Sequence, residues 1–127
     1  MAAVAFAQKQ ASVWDGVYTS AQAKRGEPLY TQYCGSCHGA TMEGRGQTPP
    51  LAGSDFNMDY NGMPLGELFE KIQGAMPADK PGTLSREQNA DILAYMLQYG
   101  KFPAGSAELK PDADGLKKIR FDGDKPK

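Results

Sequence analysis

Histidine and cysteine are scarce in this chain, which has one histidine and two cysteines among 127 residues. A structural zinc site takes four nitrogen or sulfur ligands, so these three residues alone do not complete one. Positive charge is not in excess either, because 14 lysines and arginines face 15 aspartates and glutamates. Without a basic surface to hold the phosphate backbone, we expect no nucleic-acid partner.

Long apolar segments are also missing. The chain has no run of about 18 apolar residues, the length needed to cross a membrane, so we predict no membrane span. Its beginning is short and apolar, and Ala5-Phe6-Ala7 has the A-x-A form of a secretory cleavage site. We predict that residues 1–13 are a shortened signal peptide outside the fold, and that the chain is exported.

Glycine and proline are plentiful, with 15 and 9 residues, and they predict long loops. A chain of this length makes one domain, which we expect over residues 14–105. Residues 106–127 are polar and rich in glycine, and we expect them to strap across the domain as a tail. Loops are predicted from Gly39 to Asn61 and from Gly74 to Leu84.

Three helices are predicted from apolar periodicity and capping residues. Thr19 or Ser20 can cap the first helix, and Ser85 with Gln88 forms a capping box for the third. Gly26 lies in the middle of the first helix, where a glycine is unfavourable unless another backbone comes close. The helices are expected at about 20–33, 65–73 and 86–99.

The sequence Cys34-Gly35-Ser36-Cys37-His38 matches C-x-x-C-H and uses both cysteines and the only histidine. In a c-type haem site, two thiols one helical turn apart add to the vinyl groups of the haem. The histidine that follows becomes an axial ligand of the iron. We therefore predict a covalently bound haem c, attached through Cys34 and Cys37 and ligated by His38.

Two cysteines at this spacing also occur in redox dithiols and in plain disulfides. A thioredoxin-type dithiol requires an α/β pattern, which this sequence lacks. A plain disulfide would make the chain a small binding module, but it gives no reason for the adjacent histidine or for the long loops. The haem site is the preferred interpretation because it uses all three residues.

A sixth iron ligand is expected from a methionine, since a thioether favours ferrous iron and raises the reduction potential. Met42 is too close to His38 in the chain, and Met96 lies on the apolar stripe of the third helix. Met76 is favoured because a loop stiffened by proline can hold a weak ligand in place. Met63 remains the main alternative, ahead of Met58.

These features together resemble the class I cytochrome c family over residues 21–100. The resemblance implies an all-α fold of three to four helices, with long loops wrapped around one haem. It also implies that the first and last helices cross, so that Gly26 and Tyr30 meet Ile92 and Tyr95. The family has a proline after the motif whose carbonyl accepts the imidazole N–H, and Pro49 fits best, with Pro50 as an alternative.

The segment from Met76 to Ser85, together with 90–95 and 102–105, resembles a bacterial subgroup found beside quinoprotein (PQQ) dehydrogenases or fused to them. This resemblance implies a periplasmic single-electron carrier rather than an enzyme. The donor would be a quinoprotein dehydrogenase, and the acceptor an oxidase or another cytochrome. Two alternatives are a haem domain of a larger quinohaemoprotein and a haem enzyme or sensor with a labile sixth ligand.

Overall fold

The computed structural model describes residues 11–125, in which the chain forms six α-helices and two short strands. The strands β1 (Ala11–Ser12) and β2 (Ile119–Arg120) pair in parallel. None of the helices in this described part is long and apolar enough to cross a membrane. The predicted all-α class is confirmed. The helices are α1 (Ser20–Tyr33), α2 (Gly35–His38), α3 (Ser54–Tyr60), α4 (Leu65–Ala75), α5 (Arg86–Tyr99) and α6 (Ala113–Leu116).

The two longest helices begin at residues that the sequence marks as caps. The Thr19 hydroxyl accepts a hydrogen bond from the backbone N–H of Gln22 at 3.1 Å. At the start of α5, the Ser85 hydroxyl accepts from the Gln88 N–H, and the Gln88 side chain accepts from the Ser85 N–H. Each cap satisfies backbone donors that have no partner within the helix, so both helix starts are determined locally.

Helices α1 and α5 cross at Gly26, as the family resemblance implied. A Cβ atom added to Gly26 would collide with the backbone carbonyl of Asp91. One turn further along α1, the rings of Tyr30 and Tyr95 lie 5.6 Å apart. The mid-helix glycine is therefore required by the close approach of two backbones, and both helices contribute residues to the hydrophobic core.

Helix α3 corrects the prediction of an unbroken loop from Gly39 to Asn61. Its sequence contains aspartate and asparagine, which have low helix propensity, so no local pattern identified it. Packing of Phe56 stabilises this helix instead. The buried Phe56 ring packs against the Phe121 ring of the C-terminal segment, with their centroids 5.6 Å apart. Tertiary contacts thus override local propensity at this position.

The prediction that residues 1–13 lie outside the fold is wrong for residues 11–13. Val13 is 0% exposed, and Ser12 is buried beside strand β2. The proposed cleavage site Ala5-Phe6-Ala7 lies outside the described residues. These contacts place strand β1 against strand β2 of the C-terminal segment.

The C-terminal segment packs across the helices rather than extending into solvent. Leu109, Leu116 and Phe121 are buried in the core. The Gln22 side chain of α1 donates to the Leu109 carbonyl at 3.0 Å and accepts from the Leu109 N–H at 2.8 Å. The tail predicted at 106–127 is therefore, over its described residues, held by both apolar burial and hydrogen bonds.

Candidate cofactor-binding site

The two cysteines and the histidine occupy one short helical turn. The backbone N–H groups of Cys37 and His38 both donate to the Cys34 carbonyl, at 3.2 and 3.0 Å. Cys34 is half-buried, Cys37 is exposed, and both are free thiols. Two thiols one turn apart and followed directly by an imidazole have the spacing that thioether attachment of a haem requires.

Burial raises the pKa of the Cys34 thiol to about 11, with a further contribution from the neighbouring Cys37. A thiol with this pKa stays protonated at neutral pH, so it is not a reactive thiolate. Cys34 thus faces the interior of the protein, whereas Cys37 lies at the surface.

His38 is buried, and its ring orientation is determined by one hydrogen bond. Its Nδ1 lies 2.8 Å from the carbonyl oxygen of Pro49. A carbonyl oxygen only accepts, so Nδ1 carries the proton and Nε2 retains its lone pair for a metal. The acceptor is Pro49 and not Pro50, the alternative that the sequence left open.

The loop between His38 and Pro49 closes around Gly44. The Gly44 N–H donates to the His38 carbonyl at 2.7 Å, and Gly44 has a positive φ of 79°. A Cβ atom at this position would lie 2.7 Å from the Thr48 carbonyl oxygen and 2.8 Å from the Pro50 nitrogen. Only glycine allows the backbone to return so closely and bring the Pro49 carbonyl to the histidine ring.

We expect Gly44→Ala to lower the free energy of unfolding by about 2 kcal/mol, because it combines an unfavourable φ with a backbone clash. Urea unfolding measures this change. Gly46→Ala is the matched control, since Gly46 also has positive φ but a Cβ atom there meets nothing within 4 Å. In the control, the free energy of unfolding should fall only by the conformational cost, about 1 kcal/mol. Equal losses in the two variants would contradict the proposed close approach.

Tyr30 contributes to the site although the sequence did not mark it as a site residue. Its hydroxyl donates to the Gly39 carbonyl at 2.7 Å, one residue after His38. Burial raises the pKa of this phenol, so it remains a donor at neutral pH. The bond ties helix α1 to the end of the cysteine–histidine motif. Its ring position facing α5 was predicted, but its hydroxyl partner depends on how the chain turns after α2.

The candidate methionines lie in three different environments. Met42 and Met96 are buried in the core, and Met58 is 75% exposed on α3. Met63 and Met76 are half-buried in two separate loops. Burial in the core agrees with the exclusion of Met96, and Met63 and Met76 remain the two candidates for an axial ligand.

The backbone around Met63 is held by the C-terminal segment. The Met63 carbonyl accepts from the Phe121 N–H at 2.8 Å, and the Gly62 N–H donates to the Phe121 carbonyl at 2.7 Å. Met76 instead follows α4 directly, and its N–H donates to the Ile72 carbonyl at 3.0 Å. The loop after Met76 is mostly exposed. The structure thus brings Cys34, Cys37, His38 and Pro49 together, while Met63 and Met76 lie on separate loops.

Leu51 and Ala52, shortly after Pro49, line a narrow apolar cleft together with residues of α3, α4 and α5. Apolar side chains are the surroundings that a buried haem requires. The available donors also fit a haem c, since two free thiols, an imidazole with a free Nε2 and a loop thioether are the groups that it uses. Residues lining the cleft include Leu51, Ala52, Phe56, Leu68, Leu93 and Met96.

The model of one protein family, described as cytochrome c oxidase, cbb3-type, subunit III, matches residues 21–96. The match contains the cysteine–histidine motif, Pro49 and Met76. It also extends over most of α5, so both crossing helices fall within the family domain.

One similar curated protein is a thiosulfate dehydrogenase of Psychrobacter arcticus, 30% identical over 103 residues. The alignment covers 75% of this chain but 32% of that protein, so the chain spans about a third of its relative. A similar solved structure is the sulfane dehydrogenase SoxCD from Paracoccus pantotrophus, with a TM-score of 0.57 and 20% identity. That match covers 84% of this chain and 61% of the other, and it supports the fold.

Proposed function

The chain belongs to the cytochrome c family whose model is described as cytochrome c oxidase, cbb3-type, subunit III, and we propose that it carries single electrons with His38 and Met76 as axial ligands. The family and the similar solved structure identify a class I cytochrome c fold with one haem c. Domains of this family transfer electrons and do not themselves catalyse a reaction. When bound, the haem iron supplies a one-electron couple between its ferric and ferrous states.

Cys34 and Cys37 are the proposed attachment points, and His38 is the proposed proximal ligand. The observation that carries this assignment is the 2.8 Å contact between His38 Nδ1 and the Pro49 carbonyl. It leaves Nε2 as the ligating atom and prevents the ring from rotating. Pro49 therefore acts by holding the ligand, and the hydrogen bond also makes the imidazole a stronger donor to iron.

Met76 is the proposed sixth ligand. Its support is that it begins a mostly exposed loop whose described backbone hydrogen bonds, after Met76, join only residues of that loop. The backbone of the Met63 segment is instead paired with Phe121 on both sides. A thioether at the sixth position raises the reduction potential, which suits a carrier that accepts electrons from a dehydrogenase.

The proposed location is the periplasm, and the proposed donor is a quinoprotein dehydrogenase. The support is the segment from Met76 to Ser85, which resembles the subgroup associated with these enzymes. A second candidate donor is a dehydrogenase of sulfur compounds, favoured by the names of the two similar proteins. In either case the acceptor would be an oxidase or another cytochrome, docking through a small interface.

We propose a cytochrome domain over residues 14–105, preceded by residues 11–13, of which Ser12 and Val13 are buried, and followed by the tail. Because the chain spans about a third of its thiosulfate dehydrogenase relative, a haem domain within a larger protein is the alternative arrangement. The electron-transfer chemistry would be the same, with a donor in the same polypeptide.

The test of haem attachment is expression with a full signal peptide and cytochrome c maturation machinery. We expect haem to remain on the polypeptide in a denaturing gel, and the absorption spectrum to change reversibly between oxidant and dithionite. Cys34→Ala/Cys37→Ala should lose the haem in the gel, because no thioether can form. Haem that stays attached to the double variant would contradict the assignment of the two cysteines.

The donor can be identified by mixing the oxidised holoprotein with reduced dehydrogenases in a stopped-flow instrument. A quinoprotein dehydrogenase with its alcohol or sugar substrate should reduce the protein faster than a thiosulfate dehydrogenase with thiosulfate. The reverse order would favour the sulfur-compound dehydrogenase as donor.

A further inference from the structure

Asn89 is a fully buried polar residue in a helix whose neighbouring positions are apolar. It is 0% exposed, and it lies on the same face of α5 as Ile92, Leu93 and Met96. Burying an amide costs about 1–3 kcal/mol unless hydrogen bonds compensate. An apolar side chain at this position would complete the stripe, so the amide indicates a specific interaction.

The Asn89 amide begins a chain of two hydrogen bonds. Its Nδ2 donates to the Gln73 Oε1 at 2.6 Å, and the Gln73 Nε2 donates to the Leu84 carbonyl at 3.2 Å. The carbonyl determines the direction of both bonds, because a carbonyl oxygen only accepts. The Asn89 Oδ1 is left buried without a partner among the described residues. The hydrogen bond from Asn89 to Gln73 is therefore formed although the Asn89 Oδ1 atom remains unsatisfied.

This chain closes the base of the loop that carries Met76. Gln73 lies in the last turn of α4, three residues before Met76, and Leu84 directly precedes the cap of α5. Within the loop itself, the Gly82 N–H reaches the Met76 carbonyl at 3.4 Å, and bonds of 2.9 Å join Lys80 to Pro77 and Thr83 to Lys80. Residues 78–83 are exposed. The two amides thus connect the two ends of a loop whose other hydrogen bonds lie within the loop.

We propose that Gln73 and Asn89 are positioning residues that keep Met76 on the haem iron by holding the two ends of its loop together. This inference rests on the proposed function, in which Met76 is the sixth ligand. Without the amide chain, the loop opens more often and the thioether leaves the iron for a larger fraction of the time. The ligand itself and the proximal side of the haem are unchanged.

The test is carbon monoxide binding to the ferrous holoprotein, because carbon monoxide enters only when the sixth position is vacant. Asn89→Leu should bind it roughly tenfold faster than the unmodified protein, the change expected from losing one buried hydrogen bond. Gln73→Leu should produce the same increase. Because Gln73 is only half-buried, this second variant carries a smaller risk of misfolding.

Gln22→Leu is the matched control. The Gln22 side chain is buried, as Asn89 is, and it bonds to backbone groups, as Gln73 does, but its partner is Leu109. It should lower the free energy of unfolding and leave the carbon monoxide rate unchanged. If both loop variants bind carbon monoxide at the original rate, the positioning role is wrong while Met76 ligation stands. If the unmodified protein already binds it freely and lacks a far-red methionine–iron band, both the ligand assignment and this inference are overturned.

Discussion

Replacing Met76 with alanine should abolish the weak far-red absorption band of methionine-ligated ferric haem. The reason is that an alanine methyl group cannot donate to iron, so the sixth position becomes vacant or is taken by water. The reduction potential should fall by on the order of 0.1 V, a part of the roughly 0.8 V range that axial ligands span. Absorption spectroscopy and potentiometric titration of the holoprotein measure the two effects.

Met63→Ala is the control for this prediction, because Met63 is the other half-buried loop methionine. Its replacement should leave both the far-red band and the potential unchanged. If Met63→Ala loses the far-red band while Met76→Ala keeps it, the assignment of the ligand is reversed. If both variants keep the far-red band, the sixth ligand is not one of these two methionines.

Gly26→Ala should lower the free energy of unfolding by about 2–3 kcal/mol, the usual cost of forcing extra atoms into a packed contact. The added methyl group would meet the backbone carbonyl of Asp91, which has no rotamer with which to move away. Helices α1 and α5 would have to separate, and the Tyr30–Tyr95 contact would weaken with them. Denaturant unfolding of the holoprotein, monitored by helical circular dichroism, measures the loss.

Gly74→Ala makes the same chemical change in a different environment. Gly74 lies within α4, is exposed, and a Cβ atom added there meets nothing within 4 Å. This variant should be more stable by about 0.5–1 kcal/mol, because alanine has the higher helix propensity. If the free energy of unfolding falls for Gly26→Ala and rises for Gly74→Ala, the helix crossing, and not helix propensity, requires Gly26. Equal effects would contradict that explanation.

The attachment motif and the helix caps could be predicted because their interactions are local. Cys34, Cys37 and His38 lie within five residues, and a helical turn brings them into register whatever surrounds them. The capping box at Ser85 likewise involves residues three apart. Gly26 was recognisable because a glycine inside a helical pattern requires a reason.

The amide chain at the base of the Met76 loop could not be predicted in the same way. Asn89 stands on an apolar stripe, and this was a visible signal that something polar faces it. Its partner Gln73 lies 16 residues earlier in the chain, on another helix. Only the packing of α4 against α5 brings the two side chains together. The sequence pattern gives no information about the distance between these helices.

The sequence by itself determined the haem c motif and the boundaries of α1 and α5, because hydrogen bonds within a turn depend only on neighbouring residues, and the all-α class followed from the family resemblance. Tertiary structure alone decided that Pro49 rather than Pro50 meets His38, and that residues 11–13 belong to the fold. It also decided that 54–60 is helical. The positions of 11–13 and 54–60 depend on contacts between segments far apart in the chain, whose energy appears only when the core is assembled. The Pro49 contact depends on how the loop after His38 closes at Gly44.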